Sequence, residues 1–526
     1  MTNINEALSN KAPLVWISTQ DAHRIVEHIS YASNQTTLRL DPFEGLKEFS
    51  EGRWRIVLVN DPERGPIPIY DPKVALVHAY KNKSLLIMEH ADSYAQEYIP
   101  FALALQGKYR EALLHDDVQK ASASIYMIGL GDPPEGYGRN MLHIETHYPN
   151  SEEISAFYAN IASRIPSSLG EENNARRLVS SSTGLTESEL ISNSLDLIRA
   201  KGFIDTTVMN AIRTRLLKSG ANIDLIRPDV SFDTLGGMDL AKELITASIA
   251  ISNNPNSTIK PMNKMLFIGV PGSGKSALCK AVANELQLDL ARTGVTHQMS
   301  KWVGESERNM RHTLQVIMAM APICLWIDEL GRDFSGAGRS NDSGTTDRVH
   351  GELLTGLQEM PDNVYLMAAA NRVDGLPPEM LRQGRFDEIF FMGLPSIEER
   401  YDIFNIYLRE DAEHFDLNAL AEYSEGFVGG EIESAVAKVR FNCEAGFGTM
   451  GTDEALKVLS ESRNLVLVRH TSAIMDMYRR AETEWKWASS AQKRDAELVL
   501  SGQFGPLRNM KSPKQAKTKV STHGLL

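Results

Sequence analysis

The segment that most constrains the fold of this chain lies at its middle. An apolar run, Met265-Leu-Phe-Ile268, reads as a strand. It leads directly into Gly269-Val270-Pro271-Gly272-Ser273-Gly274-Lys275-Ser276, and a helical stretch from Ala277 to Leu286 follows. The pattern G-x4-G-K-[ST] between a strand and a helix is the phosphate-binding P-loop. Glycines let the backbone curl so that successive N–H groups face one anion. The helix behind the loop adds its unsatisfied N–H groups and the positive end of its dipole. Lys275 is placed to reach the β- and γ-phosphates, and the Ser276 hydroxyl to ligate Mg²⁺. The sequence thus predicts an α/β, P-loop NTPase fold with ATP and Mg²⁺ as cofactors, bound along Gly269 to Ala277.

Three further signals extend binding toward hydrolysis. Ile323-Cys-Leu-Trp-Ile327 is an apolar run ending in Asp328-Glu329, the Walker B pattern. A buried strand there delivers Asp328 to the Mg²⁺ shell and Glu329 to a water that attacks the γ-phosphate. Any strand reaching the surface can end in two acids, so the P-loop upstream carries this reading. Val364-Tyr-Leu-Met-Ala-Ala-Ala370 is a second buried run, ending in Asn371, whose amide can hold the lytic water; alone, Asn at a strand end is a turn former. Arg382 and Arg385, in Leu381-Arg-Gln-Gly-Arg-Phe-Asp387, suit an arginine finger that neutralises phosphate charge across a subunit boundary. Their bland alternative is a pair of salt-bridging surface arginines.

Around this centre the chain alternates between α/β and helical stretches. Leu14–Ile17, Arg55–Val59, Leu85–Met88 and Ile125–Ile128 read as strands of a mostly parallel sheet, with a helix around Asp21 to Ile29. No G-x4-G-K follows the first strand, so residues 1–150 read as an α/β domain without a phosphate loop. Residues 151–228 read as helical, with Thr186-Glu-Ser-Glu189 as a capping box. The α/β core spans 229–394, helices follow over 395–490, and 491–526 form a basic tail that reads as disordered. The two halves can be read as one plan used twice.

Net charge is −13, which speaks against non-specific nucleic-acid binding; the basic tail is the one local exception. Cys279, Cys324 and Cys443 are too widely spaced for a disulfide framework or a zinc site, and each sits in an apolar context. No apolar run reaches the length of a membrane span, and the first residues lack the features of a signal peptide. The expected compartment is cytoplasmic, with no membrane partner.

The motifs and their order resemble the AAA+ superfamily, specifically the AAA clade proper, over about 229–445. Ser231-Phe-Asp-Thr-Leu-Gly236-Gly237 is similar to that clade's opening motif, which places Gly236 against the adenine. Asn371 matches its sensor-1 position, and Arg382 and Arg385 match its arginine fingers. Phe427-Val-Gly-Gly430-Glu-Ile432 resembles its lid motif, which brings Gly430 to the nucleotide. Ala370, where the clade usually has Thr, and Leu330-Gly331 after the two acids depart from the pattern. The implied fold is an AAA+ αβα core with a helical lid, preceded by a P-loop-less, degenerate AAA-like α/β domain with its own helical segment.

Thr183-Gly-Leu-Thr-Glu187, Leu235–Lys242, Leu325–Glu329 and Trp485-Lys-Trp487-Ala are similar to one AAA family of cyanobacteria, plastids and phages, known from a hypothetical chloroplast reading frame. That resemblance runs end to end. It implies a bacterial cytoplasm, a plastid stroma or a phage-infected cell as the setting.

The resemblance also implies that Trp302 and Val303, in Lys301-Trp-Val-Gly304, form a pore loop that grips an extended polypeptide. The Gly/Ser-rich stretch 335–344 falls at a second pore loop, and Arg348 matches an intersubunit arginine. The implied partners are further copies of the chain in a closed ring, six by resemblance, and a protein client. The resulting reading is a Mg²⁺- and ATP-dependent ring ATPase that remodels or threads a protein. The alternatives are an ATP-switched assembly protein without threading, or a nucleic-acid motor. No His-Glu-x-x-His protease signature occurs.

Overall fold

The structure is a computed structural model. It describes residues 2–501 except 42, 62–64, 115–122, 135, 147, 170–173, 255, 294–304, 331–342, 373–375, 377, 383, 463 and 464. Trp302, Val303, most of the 335–344 stretch and the tail beyond 501 lie outside the described residues. The chain divides into two compact units, Met1–Leu217 and Lys218–Leu526. Among the described residues no helix is long and apolar enough to cross a membrane.

The first unit contains β1 (Leu14–Ser18), β2 (Thr37–Asp41), β3 (Gly45–Ser50), β4 (Arg53–Ile56), β5 (Leu58–Asp61), β6 (Gly65–Pro68), β7 (Leu85–Met88), β8 (Ser124–Gly129) and β9 (Leu142–Glu145). Seven of these form one sheet in the order β4-β3-β2-β7-β8-β1-β9. From β2 to β9 the pairs are parallel, while β3 and β4 add antiparallel strands at one edge. Side chains alternate between faces, as the two-residue period of a strand requires. Leu14, Trp16, Leu86, Met88, Ile125 and Met127 join one core, whereas Val15, Ile17, Leu85, Ile87, Tyr126 and Ile128 join the other.

The run Arg55–Val59 is not the single strand its apolar character predicts. It is split between the outermost strand β4 and a separate β5–β6 hairpin. Its apolar residues are not buried: Ile56 is 54% exposed and Leu58 56%. The place in the parallel sheet belongs to β2, whose Leu38 and Leu40 face the core on either side of Arg39. After the sheet come Ser151–Arg164, Glu187–Lys201 and Thr206–Ala221 among the helices. The Thr186 capping box forms: the Thr186 hydroxyl accepts from Glu189 N at 3.2 Å, and Glu189 Oε2 accepts from Thr186 N at 2.8 Å.

The second unit has β10 (Asp224–Ile226), β11 (Lys264–Gly269), β12 (Leu290–Thr293), β13 (Ile323–Ile327), β14 (Val364–Ala370), β15 (Glu388–Met392) and β16 (Lys486–Trp487). The order is β10-β12-β13-β14-β11-β15-β16, all parallel except the β10–β12 pair. Strands β13, β14 and β11 are buried along their whole length, as central strands covered on both faces must be. Met265, Phe267, Cys324, Trp326, Met367 and Phe390 build one core against the helices Asp239–Ser252 and Lys275–Glu285. A second core lies among the helices Ile397–Leu408, Leu417–Tyr423, Gly429–Glu444 and Thr452–Glu461. This is the α/β P-loop NTPase fold with helical segments that the sequence predicts.

Two expectations for the C-terminal part change. The sequence predicts helix through Trp485 to Trp487, but Lys486–Trp487 is a strand on the edge of the core sheet, paired with Phe390 and Phe391. Trp487 and Tyr478 pack edge-on against Phe391, and that burial of aromatic area fixes the strand. The tail expected from residue 491 starts later, because Ser490–Leu500 is a helix whose Gln492, Ala496 and Val499 are buried. Of the cysteines, Cys279 and Cys324 are core residues, but Cys443 is only half-buried.

Candidate functional site

The P-loop bends where its sequence allows. β11 ends at Gly269, where a side chain would collide with the Met392 carbonyl, so glycine permits the β11–β15 pairing to continue to the loop. Gly272 and Gly274 have φ of +79° and +93°, a region open to glycine at little cost. The helix Lys275–Glu285 begins immediately afterwards. Its first N–H groups, those of Lys275, Ser276 and Ala277, have no carbonyl one turn back to accept them, and these residues line a cleft of about 400 Å³.

That cleft gathers residues from distant parts of the sequence. Pro271 to Ala277 form its floor, Asp328 and Glu329 come from the end of β13, and Asn371 stands just past β14. Gly236 and Met238 enter from the segment before Asp239–Ser252, and Gly429 and Gly430 from the start of Gly429–Glu444. Gly430 N donates to the Gly272 carbonyl at 3.2 Å, which ties the helical segment directly to the loop. Ile403, Ile406 and Tyr407 supply an apolar wall.

The electrostatics of the cleft are organised around Lys275. Its side chain is buried, and Nζ donates to the carbonyls of Gly269 at 3.0 Å and Val270 at 2.8 Å. Burial pushes its amine down to about 7, against the attraction of Asp328. An ammonium so desolvated gains most from an anion placed beside it. Asp328 accepts from Arg292 Nη2 at 2.9 Å and from the Glu329 N–H at 3.0 Å. The Arg292 guanidinium also lies 4.9 Å from the ring centre of Trp326. Glu329 is exposed, lines the cleft and has φ of +51°, so the backbone turns at the end of β13. Beside the wall, burial and then Glu433 push the Tyr407 phenol up to about 12.

These features fit a nucleoside triphosphate with its metal. Loop and helix N–H groups with Lys275 match the phosphates, and the Ser276 hydroxyl with Asp328 matches a hard cation. Among the described residues no group of three His, Cys, Asp or Glu could hold a metal alone, so a cation here would share its ligands with phosphate. The apolar wall, whose Ile403 packs directly on Gly236, suits a flat base.

The predicted site residues therefore fall into two groups. Gly236, Pro271–Ala277, Asp328, Glu329, Asn371 and Gly430 are brought together, with Gly269 and Val270 holding the Lys275 amine. Arg382 and Arg385 do not line the cleft: Arg382 is exposed, and the Arg385 guanidinium donates to the Leu354 carbonyl. Sequence reasoning missed Ile403, Ile406, Tyr407 and Arg292. The first three share one helical face by their spacing of three and four, a signal present in the sequence but common to every amphipathic helix.

Residues 265–394 match the model of the ATPase family associated with various cellular activities (AAA). Relatives include the uncharacterized AAA domain-containing protein ycf46 of Guillardia theta, 33% identical over 309 residues, covering 56% of this chain and 61% of that one. The ycf46 protein of Trieres chinensis is 39% identical over 216 residues, 39% of this chain and 43% of its own. Protein CdcH of Halobacterium salinarum is 31% identical over 274 residues, 49% of this chain and 36% of its own. The chain spans roughly half the length of the ycf46 relatives it matches, 47% to 61% for three of them. The second unit thus carries an AAA domain over residues 265–394, and the chain resembles the ycf46 AAA domain-containing proteins.

Proposed function

We propose that the cleft of the second unit binds ATP with Mg²⁺ and hydrolyses it, and that the protein works as a homo-oligomeric ring that remodels or threads a protein client. The observation that carries this reading is the convergence of the P-loop, Asp328-Glu329 and Asn371 on one cleft with Gly430 across it. Lys275 and the loop N–H groups hold the phosphates. Ser276 and Asp328 would hold the cation, which would supply charge neutralisation to the transferring phosphoryl group. Glu329, exposed at the cleft, takes the proton of the attacking water, and Asn371 orients that water. The site is polar on the phosphate side and apolar at the wall, which supports a nucleotide over a bare polyphosphate.

Arg382 stands exposed outside its own cleft, and this supports service to a neighbour's nucleotide. A head-to-tail contact of that kind closes naturally into a ring, six subunits by the family resemblance. Trp302 and Val303 are assigned to the pore on the same resemblance.

Glu329→Gln tests the reading. The variant is expected to keep ATP binding and lose turnover by about 10²- to 10⁴-fold, the contribution of a general base. It should also hold oligomers with ATP and retain client, measurable by sedimentation and phosphate release on the same sample. Turnover at the unsubstituted rate would sink the assignment of Glu329.

A further inference from the structure

The turn that walls the base side of the cleft is held from behind by the C-terminal helix. Gly237 and Met238 take φ of +71° and +63°, and Met238 is not a residue that adopts this region without support. The support is Glu399, a carboxylate only 5% exposed. Its Oε1 accepts from Met238 N at 3.4 Å, and its Oε2 from Ser396 N at 2.9 Å. A side chain at position 237 would run into this carboxylate, so the turn and the acid are packed against each other with no spare room.

Glu399 is itself gripped by Gln492, from the helix Ser490–Leu500. The Gln492 amide donates to both oxygens, at 3.2 and 3.0 Å, and its own oxygen accepts from Gly393 N at 2.7 Å. Gln492 is 6% exposed, and both ends of its amide are used. The same helix is fastened to the residue after the turn: Asp239 accepts from Ser490 N at 2.8 Å and from the Ser490 hydroxyl. Between them Ala241 N donates to the Ala488 carbonyl at 3.1 Å.

We propose that Gln492 is a positioning residue of the nucleotide site, acting through Glu399 to set the Gly236–Met238 turn against the base, so that residues beyond the lid complete base recognition. This rests on the cleft being a nucleotide site, and it goes further by assigning base binding and phosphate binding to separable supports. The phosphate floor has its own, in β11 and the helix Lys275–Glu285. Breaking the Gln492–Glu399 pair leaves a buried carboxylate short of a donor, and the turn relaxes while the floor stays.

The test compares ATP with inorganic tripolyphosphate by titration calorimetry, with Mg²⁺ present. Gln492→Ala is expected to weaken ATP about tenfold and leave tripolyphosphate within twofold. Gln492→Met, which keeps the volume without the hydrogen bonds, should do the same and guards against loss of fold in the smaller variant; thermal melting of both checks that they fold. Equal loss for the two ligands, or no loss for ATP, overturns the positioning role while leaving the nucleotide site standing. Failure of the unsubstituted protein to bind either ligand overturns both readings.

Discussion

The two units answer the same structural question in opposite ways. In each sheet the first central strand lies between the fourth and fifth of its parallel series: β2-β7-β8-β1-β9 in one, β12-β13-β14-β11-β15 in the other. In the second unit the loop after that strand, 270–274, leaves a cleft above the helix start and lines it with Lys275. In the first unit the shorter connection 19–21 ends in Asp21, whose carboxylate accepts from backbone N–H groups at two helix starts. Asp21 accepts from Glu187 N at 2.7 Å, Ser188 N at 3.3 Å, the Ser188 hydroxyl at 2.6 Å and Arg24 N at 3.4 Å. One side chain thus caps Ala22–Ala32 and, beside the Thr186 cap, accepts the first two N–H groups of Glu187–Lys201.

The likeness continues one strand further. β7 is followed by Glu89 and by His90 with φ of +53°, as β13 is followed by Asp328 and by Glu329 with φ of +51°. Arg39 on β2 pairs with Glu89 as Arg292 on β12 pairs with Asp328. The strand order and these strand-end pairs are shared; where the second unit has Glu329 the first has His90, and Asp21 stands at the end of the first connection. A phosphate loop can therefore be absent without any defect in the fold around it.

The sharpest way to break this comparison is to count ligands. Calorimetry should find one ATP per chain, and Lys275→Ala should cost about 3 kcal/mol of binding, the upper range for a charged hydrogen bond. Asp21→Ala should leave both stoichiometry and affinity untouched; a second ATP bound to that variant would show that the carboxylate was guarding a working site.

Next in size is stability. The Asp21 cap of Ala22–Ala32 is worth about 1 kcal/mol and its bonds to Glu187 N and Ser188 N about as much again, so Asp21→Ala should lower local stability in the first unit by about 2 kcal/mol. Hydrogen exchange over Glu187–Lys201 reads this directly, and protection there equal to that of the unsubstituted chain would remove Asp21 from the account.

Smallest is a proton. Lys275 is lowered to about 7 in the free protein, and bound phosphate restores its charge. At pH 8 the free amine is mostly neutral, so binding must take up close to one proton, and affinity should fall up to tenfold per pH unit above 7. Titrations in buffers of differing ionisation enthalpy measure the uptake. In the free protein the sign for stability follows from the unfolded chain, whose lysine stays protonated to about 10.4. Between about 7 and 10 the unfolded state holds more protons, so this residue makes stability rise with pH.

The parts of the site legible in the sequence are those whose chemistry is contiguous. Gly269 to Ser276, Asp328-Glu329 and the Asn371 strand end are each a few adjacent residues whose spacing is the signal. What escaped reading is made by residues that meet only after folding. Arg292 reaches Asp328 across neighbouring strands, and Glu399 meets Gln492 across 93 positions of chain; neither residue type stands out where it sits. Arg55–Val59 misled for the opposite reason. It has strand character, but burial decides which sheet a strand joins, and Ile56, Leu58 and Val59 are exposed while Val57 alone packs on the core. Trp485–Trp487 looked like part of a helical stretch because two residues of strand are too few to show a period.

Asp21 has one more consequence. A nucleotide held by Lys275 comes and goes with its concentration, so the second unit can exist in filled and empty forms. The anion of the first unit is tethered by its own backbone, at an effective concentration set by covalent geometry that no dilution changes. It cannot be exchanged or hydrolysed. The first unit is in this sense permanently ligated, which leaves it a single state to present, whereas the second, on the proposed reading, alternates between filled and empty.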